Sequence, residues 1–172
     1  MNRLSSSDAW FLDVESTTVP MHVTGLLLLD PSTAGSDWSP ERLRRNVGAK
    51  LAAIASLRRV LVEVPLGIDH PTWRAVIPDI DDHVRLRTAP GHRPGRLGAV
   101  MSEFATTPLP RDRPLWEALV VDGLDDGRVA FAIKVHHAIA DGVTGLELLT
   151  EILDLSPEPT PAPDPEIPTD VA

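Results

Sequence analysis

Apolar residues recur along the chain with a helical period in several segments. One amphipathic helix is predicted from Ser39, an N-cap residue followed by proline, to about Ala55. Its apolar positions are Leu43, Val47, Leu51 and Ile54. A second helix is predicted on the apolar positions Leu97, Val100, Met101 and Phe104. A run of serines before residues 9–12 predicts a short capped helix near the N-terminus.

Other segments have the composition or alternation of strands. They are MHVTGLLLLD, LRRVLVEVPL, TWRAVIP, HVRLRT, LWEALVV and RVAFAIKVHH. A turn containing Gly67 joins the second and third, and DGLDDG between the last two is typical of a hairpin. Because helices and hairpins are interleaved, the pattern predicts an α/β fold, a two-layer sandwich with a mixed sheet.

The last seventeen residues break this pattern. They are rich in proline, which can form neither a helix interior nor a central strand. We therefore expect one domain over residues 1–155 and a linker or tail over 156–172. A linker at this place suggests an absent C-terminal domain.

Composition narrows the classes of function. The net charge of −9 over 172 residues argues against nucleic acid binding, and the lack of cysteine excludes disulfides and thiol catalysis. No long apolar run or secretory signal is apparent, so we expect a cytoplasmic location. One window without acidic residues carries Arg85, Arg87, Arg93 and Arg96. A solvated loop is the favoured interpretation, and a contact for an anionic ligand or a membrane surface is the alternative.

The segment VHHAIADGVTGLELL, residues 135–149, contains the candidate chemistry. Strand alternation places His137 on the bulky apolar face with Val135, and His136 on the opposite face. Partial burial there would favour the neutral, basic imidazole that a general base requires. His136 is expected to be a packing or hydrogen-bonding residue.

A purely structural interpretation fits the same segment. Asp141 is placed to cap a helix from about Gly142 to Asp154, and Gly142 allows close backbone approach. Paired histidines are more often core or surface residues than catalytic ones. No metal site is expected, since the remaining histidines (His22, His70, His83 and His92) have no ligand spacing. A Ser-His-Asp triad lacks its nucleophile-elbow pattern.

HHAIADG resembles the HHxxxDG signature of the coenzyme A-dependent acyltransferase superfamily. Three further stretches, LSSSDAWFLDVES, TTVPMHVTGLLLLD and RPLWEALVVDGL, are similar to bacterial wax ester synthase/diacylglycerol acyltransferases. The four motifs occur in the order of that family and cover the chain to about Leu155. The resemblance implies one half of a chloramphenicol acetyltransferase-like fold.

The resemblance implies an O-acyltransferase with no bound cofactor, for which acyl-CoA is a substrate. His137 would be the general base that deprotonates diacylglycerol or a long-chain alcohol, and His136 would be its motif neighbour. Asp141 would be structural, paired with an arginine that the sequence does not identify, and Gly142 would leave room near the base. Core packing explains Trp116 and the Pro20–Val23 stretch at least as well as function does.

Family members have two similar halves with the active site between them, and this sequence resembles the first. The implied partners are therefore acyl-CoA, a lipid alcohol and the missing C-terminal half-domain, with peripheral attachment to a membrane or lipid droplet as an option. One alternative is a related acyltransferase with another acceptor, polyketide-associated or condensation-type. Another is a non-catalytic half-domain that binds lipid or a partner, or self-associates through its exposed face.

Overall fold

The computed structural model describes residues 2–89, 91, 95–139 and 150–153. The predicted proline-rich tail lies outside the described residues. So does the predicted last helix, except that residues 150–152 are helical. The helices are α1 (Ser6–Val14), α2 (Pro40–Ala53), α3 (Ile80–His83) and α4 (Arg96–Thr106). The strands are β1 (Asn2–Arg3), β2 (His22–Leu29), β3 (Arg59–Val62), β4 (Thr72–Ala75), β5 (Val84–Thr88), β6 (Trp116–Asp122) and β7 (Val129–His136).

The main sheet has four strands in the order β2-β7-β6-β5. β7 pairs antiparallel with both β2 and β6, and β5 pairs parallel with β6, so the sheet is mixed as predicted. The β6–β7 hairpin turns through Gly123 and Gly127, which both adopt the left-handed backbone that favours glycine. The parallel pair β5–β6 is connected through α4, the crossover that parallel strands require.

A separate small sheet has the order β1-β4-β3. The antiparallel pair β3–β4 is the hairpin predicted around Gly67, with Pro65–Gly67 forming a 3₁₀ turn at its tip. Its base is anchored by Leu61 and Trp73, which face each other in register and are both buried. The hairpin therefore has a fixed base and a projecting tip.

Both faces of β7 are buried because alternate residues pack into different apolar clusters. The bulky residues Phe131 and Ile133 pack in the larger cluster with α2 and the small sheet. Ala130 and Ala132 pack in a second cluster, against the apolar side of α4. The α/β class is confirmed, and helices cover both faces of the sheet, one layer more than the predicted two. The small alanine side chains leave room for α4 on that face.

The predicted N-caps are confirmed by their hydrogen bonds. Ser39 Oγ accepts from the Arg42 amide at 3.1 Å, and Pro40 occupies the first turn of α2. Ser5 Oγ accepts from the Asp8 amide at 3.1 Å at the start of α1. Such caps satisfy amides that the helix itself leaves without partners, and they set where each helix begins.

Candidate active site

The two histidines of the HH motif occupy different backbone environments. β7 ends at His136, and His137 begins a 3₁₀ turn over His137–Ile139. The predicted strand therefore ends one residue before His137, and the predicted face of the His137 side chain stays a prediction. The His137 amide donates to Met21 O at 2.8 Å, one residue beyond the last β2–β7 pair and in the same register.

His136 is fully buried, in line with the packing role expected for it. Its Nδ1 accepts a hydrogen bond from the Ala138 amide at 3.0 Å, so the proton of the neutral ring lies on Nε2. Burial lowers the pKa of His136 to about 4, against the opposing attraction of Glu15. The ring is therefore neutral at pH 7, and its acceptor nitrogen is already occupied.

Glu15 faces the buried side of His136 and was not singled out by the sequence. Its Oε1 lies 3.3 Å from His136 Nε2 and accepts from the Met21 amide, also at 3.3 Å. Burial on its own raises the pKa of the Glu15 carboxyl. The hydrogen bond from Arg111 and the nearby His136 outweigh burial and lower that pKa overall. A carboxylate is thus held beside the motif histidine.

Arg111 balances the charge of this carboxylate. Its Nη2 donates to Glu15 Oε2 at 3.0 Å and to Leu12 O, at the end of α1, at 2.7 Å. Arg111 belongs to the proline-rich loop between α4 and β6. The network therefore joins α1, the start of β2, this loop and the end of β7.

His137 is half-buried and contacts α1 through its ring. The imidazole stacks on Phe11 with ring centroids 4.9 Å apart and planes 18° apart. Phe11 in turn makes an edge contact with Trp10, which is 56% exposed. The stacking and the backbone bond to Met21 fix the position of the ring while part of it stays open to solvent.

Two motif stretches now have structural explanations. Within Pro20–Val23, Met21 binds both Glu15 and His137 through its backbone, and His22 Nε2 lies 2.7 Å from Ala105 O at the end of α4. Trp116 is fully buried, and its Nε1 donates to Leu57 O at 2.8 Å, which agrees with the packing alternative.

Beneath His136, on the α4 side of the sheet, is a buried cluster of charges that the sequence analysis did not identify. Lys134 Nζ donates to Phe104 O at 3.0 Å and to Thr107 O at 2.7 Å, two carbonyls at the end of α4. Glu117 Oε2 lies 3.4 Å from the same nitrogen, and this carboxylate also pairs with Arg85 and Arg113. Burial lowers the pKa of Lys134, whereas Glu117 raises it. The only sequence signal was a lysine inside an otherwise apolar strand.

Two other predicted site residues, Asp141 and Gly142, lie outside the described residues, and the arginine partner of Asp141 therefore stays unidentified.

Three arginines of the basic window lie beside carboxylates. Arg85 Nη2 lies 2.7 Å from Glu117, and Arg87 Nη1 lies 3.0 Å from Glu103. Arg96 is buried and pairs with Asp125 at 2.8 Å. Arg93 lies outside the described residues. Each of these three arginines therefore forms an ion pair, and contact of the window with an anion or a membrane stays a prediction.

No helix in the described part of the chain has the length and apolarity needed to cross a bilayer.

Comparison with known proteins identifies related sequences. Residues 4–171 match the family model of the wax ester synthase/diacylglycerol acyltransferase catalytic domain. A protein of Mycobacterium tuberculosis assigned by name to the diacylglycerol O-acyltransferases is 36% identical over 163 residues, 92% of this chain and 34% of the relative. The protein tgs3 of the same organism, with a similar assignment, is 37% identical over 174 residues, 95% of this chain and 60% of tgs3. The chain thus spans between about a third and 60% of these relatives.

Two solved structures superimpose on this chain. The wax ester synthase/diacylglycerol acyltransferase from Marinobacter aquaeolei VT8 superimposes with a TM-score of 0.78 at 29% identity, covering 100% of this chain and 42% of that one. The condensation domain of the enacyloxin polyketide synthase superimposes with a TM-score of 0.63 at 21% identity, covering 88% of this chain and 30% of that one. The second similarity concerns the fold alone.

Proposed function

Because the chain belongs to the wax ester synthase/diacylglycerol acyltransferase family, we propose that it supplies the general base of an O-acyltransferase and is completed by a C-terminal half-domain. The proposed substrates are a long-chain acyl-CoA and the hydroxyl of diacylglycerol or a fatty alcohol. The products are triacylglycerol or a wax ester, together with free coenzyme A.

His137 is the proposed base, and one observation carries this choice. Of the two motif histidines, only His137 has a partly exposed ring, whereas His136 is buried with its acceptor nitrogen bound to Ala138. A general base must reach the proton that it removes, which His136 cannot do from its position.

In the proposed reaction, His137 takes the proton from the acceptor hydroxyl as the oxygen attacks the thioester carbonyl. The carbon–sulfur bond then breaks, and the imidazolium returns its proton to the departing coenzyme A thiolate. His136 and Glu15 are proposed as positioning residues, since Glu15 binds the Met21 amide while Met21 O holds the His137 amide.

An acyl-transfer assay tests the base. The protein would be this chain joined to the C-terminal domain of the Marinobacter aquaeolei relative, supplied with labelled long-chain acyl-CoA and either acceptor. We expect His137→Ala to lower kcat by about 10²- to 10⁴-fold, the usual contribution of a general base. His70→Ala, a histidine change in the small-sheet hairpin loop, is the control. Retention of most activity by a folded His137→Ala protein would refute the assignment.

The partner contact is proposed along β2, at the edge of the main sheet. Leu26 and Leu28, two residues apart on one face of β2, are each more than 40% exposed and form a short apolar row on an edge strand. We assign this row to the C-terminal half-domain, since the relatives are much longer. Sedimentation of the chain with that domain, using Leu26→Lys and Leu28→Lys, should detect a complex that the variants weaken. An unchanged complex would place the contact elsewhere.

A further inference from the structure

We propose that the tip of the β3–β4 hairpin, residues 64–68, is a lipid-contacting tip that inserts into an uncharged lipid surface. The proposal rests on the proposed function only in taking the acceptor to be a lipid. Binding of the tip to lipid can be measured without any acyl transfer, so the two proposals can fail separately.

Exposure is the first observation. Leu66 is 96% exposed and Ile68 is 80% exposed, more than any other large apolar residue in the described part of the chain. The five tip residues, VPLGI, carry no charge. Exposing two aliphatic side chains in full at one point of the surface is unfavourable in water, and contiguous exposure of this kind marks interaction sites.

The backbone supplies the second observation. Leu66 adopts a left-handed conformation with φ of 63°, and among the described residues no other non-glycine residue has positive φ. Such a conformation is unfavourable for a residue with a branched side chain. Glycine would occupy the position without strain, so a large aliphatic residue here requires a reason other than stability.

The base of the hairpin gives the tip a fixed support. Leu61 and Trp73 are buried at the paired strands, and Arg3 of the neighbouring β1 forms an ion pair with Asp69, next to Ile68. Because the base is anchored, the position of the tip is already fixed. Insertion into lipid therefore costs little conformational entropy.

The charge around the tip and the small area of its exposed side chains indicate which kind of surface it binds. The tip is flanked by Glu63 and by Asp69, which is paired with Arg3, and the whole chain carries −9, so an anionic surface would repel the chain. Two side chains also cover much less than the roughly 800 Å² per partner of a stable protein interface. A zwitterionic or neutral lipid surface avoids both problems, because small aliphatic groups can enter it singly.

The test uses the absence of native cysteine to label single positions. Leu66→Cys and Ile68→Cys would each carry an environment-sensitive fluorophore, with Ser36→Cys as an exposed control. We expect phosphatidylcholine vesicles containing diacylglycerol to blue-shift and brighten the labels at 66 and 68, with no change at 36. Anionic phosphatidylglycerol in the vesicles should weaken the response.

Vesicle flotation with unlabelled variants gives the second readout. Leu66→Gly removes the side chain and relieves the backbone, so its melting temperature should not fall while its partition onto vesicles weakens about tenfold. Ile68→Ser should act similarly, and Ile77→Ser, a change at a half-exposed aliphatic residue beyond β4, should have no effect.

Three outcomes would overturn the proposal. One is flotation while the labels at 66 and 68 still report water, which would place the lipid contact elsewhere. Another is a change in the labels without vesicles, at raised protein concentration or with the C-terminal half added, which would make the tip a protein contact. The third is no partition onto uncharged vesicles at all. His137→Ala should partition normally, which separates this test from the catalytic one.

Discussion

Glu15 Oε1 lies 3.3 Å from Nε2 of His136, so a carboxylate from the end of α1 faces the buried histidine next to the proposed base. The same oxygen binds the Met21 amide, and Met21 O binds the amide of His137. Glu15 is therefore linked directly to His136 and, through the backbone of Met21, to His137.

Replacing Glu15 by glutamine should impair turnover more than binding. Glu15→Gln keeps the size of the side chain but removes the charge that faces His136 and Arg111. We expect kcat to fall about 10- to 100-fold with KM nearly unchanged, since small misplacements of a catalytic group have effects of this size. Steady-state kinetics of this chain joined to the C-terminal domain of the Marinobacter aquaeolei relative would measure kcat and KM. Glu41→Gln, in the exposed first turn of α2, is the matched control, and an equal loss there would refute a positioning role.

Acid should destabilise the domain through His136. Its pKa is about 4 in the folded protein and 6.5 when unperturbed, so the unfolded chain takes up the proton first as the pH falls. The contribution of neutral His136 is complete above pH 6.5 and is lost progressively toward pH 4. Between pH 7 and pH 5 the loss should be about 2 kcal/mol. Burial also lowers the pKa of His83, so this histidine should add to the loss of stability in acid.

Urea unfolding at pH 7, 6 and 5 would measure this loss. His136→Gln should be less stable at pH 7 but should lose less free energy of unfolding on acidification. The same pH dependence in the variant and the parent would assign the acid sensitivity to other groups.

Replacing each of two helical glycines by alanine should have opposite effects on the stability of the domain. A Cβ on Gly98, on the exposed side of α4, would meet no atom within 4 Å, so Gly98→Ala should stabilise by about 0.5–1 kcal/mol through helix propensity. A Cβ on Gly48 in α2 would lie 2.5 Å from Ile80 Cγ2, and Gly48→Ala should destabilise by about 1–3 kcal/mol. Thermal denaturation of the pair checks both, and equal shifts would contradict the close packing of α2 on α3.

Removing Lys134 should loosen the end of α4. Lys134→Met leaves Phe104 O and Thr107 O without their cationic donor and should cost about 2 kcal/mol. Glu117 keeps its contacts with Arg85 and Arg113, so its charge is not left unpaired. Arg87→Met, which breaks a surface ion pair, should cost about 0.5 kcal/mol or less. If the two variants were equally stable in chemical denaturation, the hydrogen bonds of Lys134 would contribute little to the stability of the domain.

Local patterns were sufficient for most of the elements. Caps and apolar spacing predicted α1, α2 and α4, and alternation with turn residues predicted both hairpins, because these signals act within a few residues. The family resemblance is confirmed by the match over residues 4–171. The roles of His137, Asp141 and Gly142 stay predictions.

The other features were not predicted, because they depend on contacts that the sequence pattern of one segment does not contain. The alternation of β7 did not predict that the strand ends at His136 and that a 3₁₀ turn begins at His137. The Glu15–His136–Arg111 contacts join segments distant in the chain, and no periodicity reports such pairs. The ion pairs of the basic window were not predicted, because the carboxylates Glu103 and Glu117 lie outside that window in the sequence.

The central position of β7 also bears on which parts of the family fold can change. A strand paired on both edges and buried on both faces exchanges its amide hydrogens only when most of the domain opens. We therefore expect the histidine turn to be attached to the part of the domain that exchanges most slowly. Surface loops can therefore change in length and composition without moving that turn.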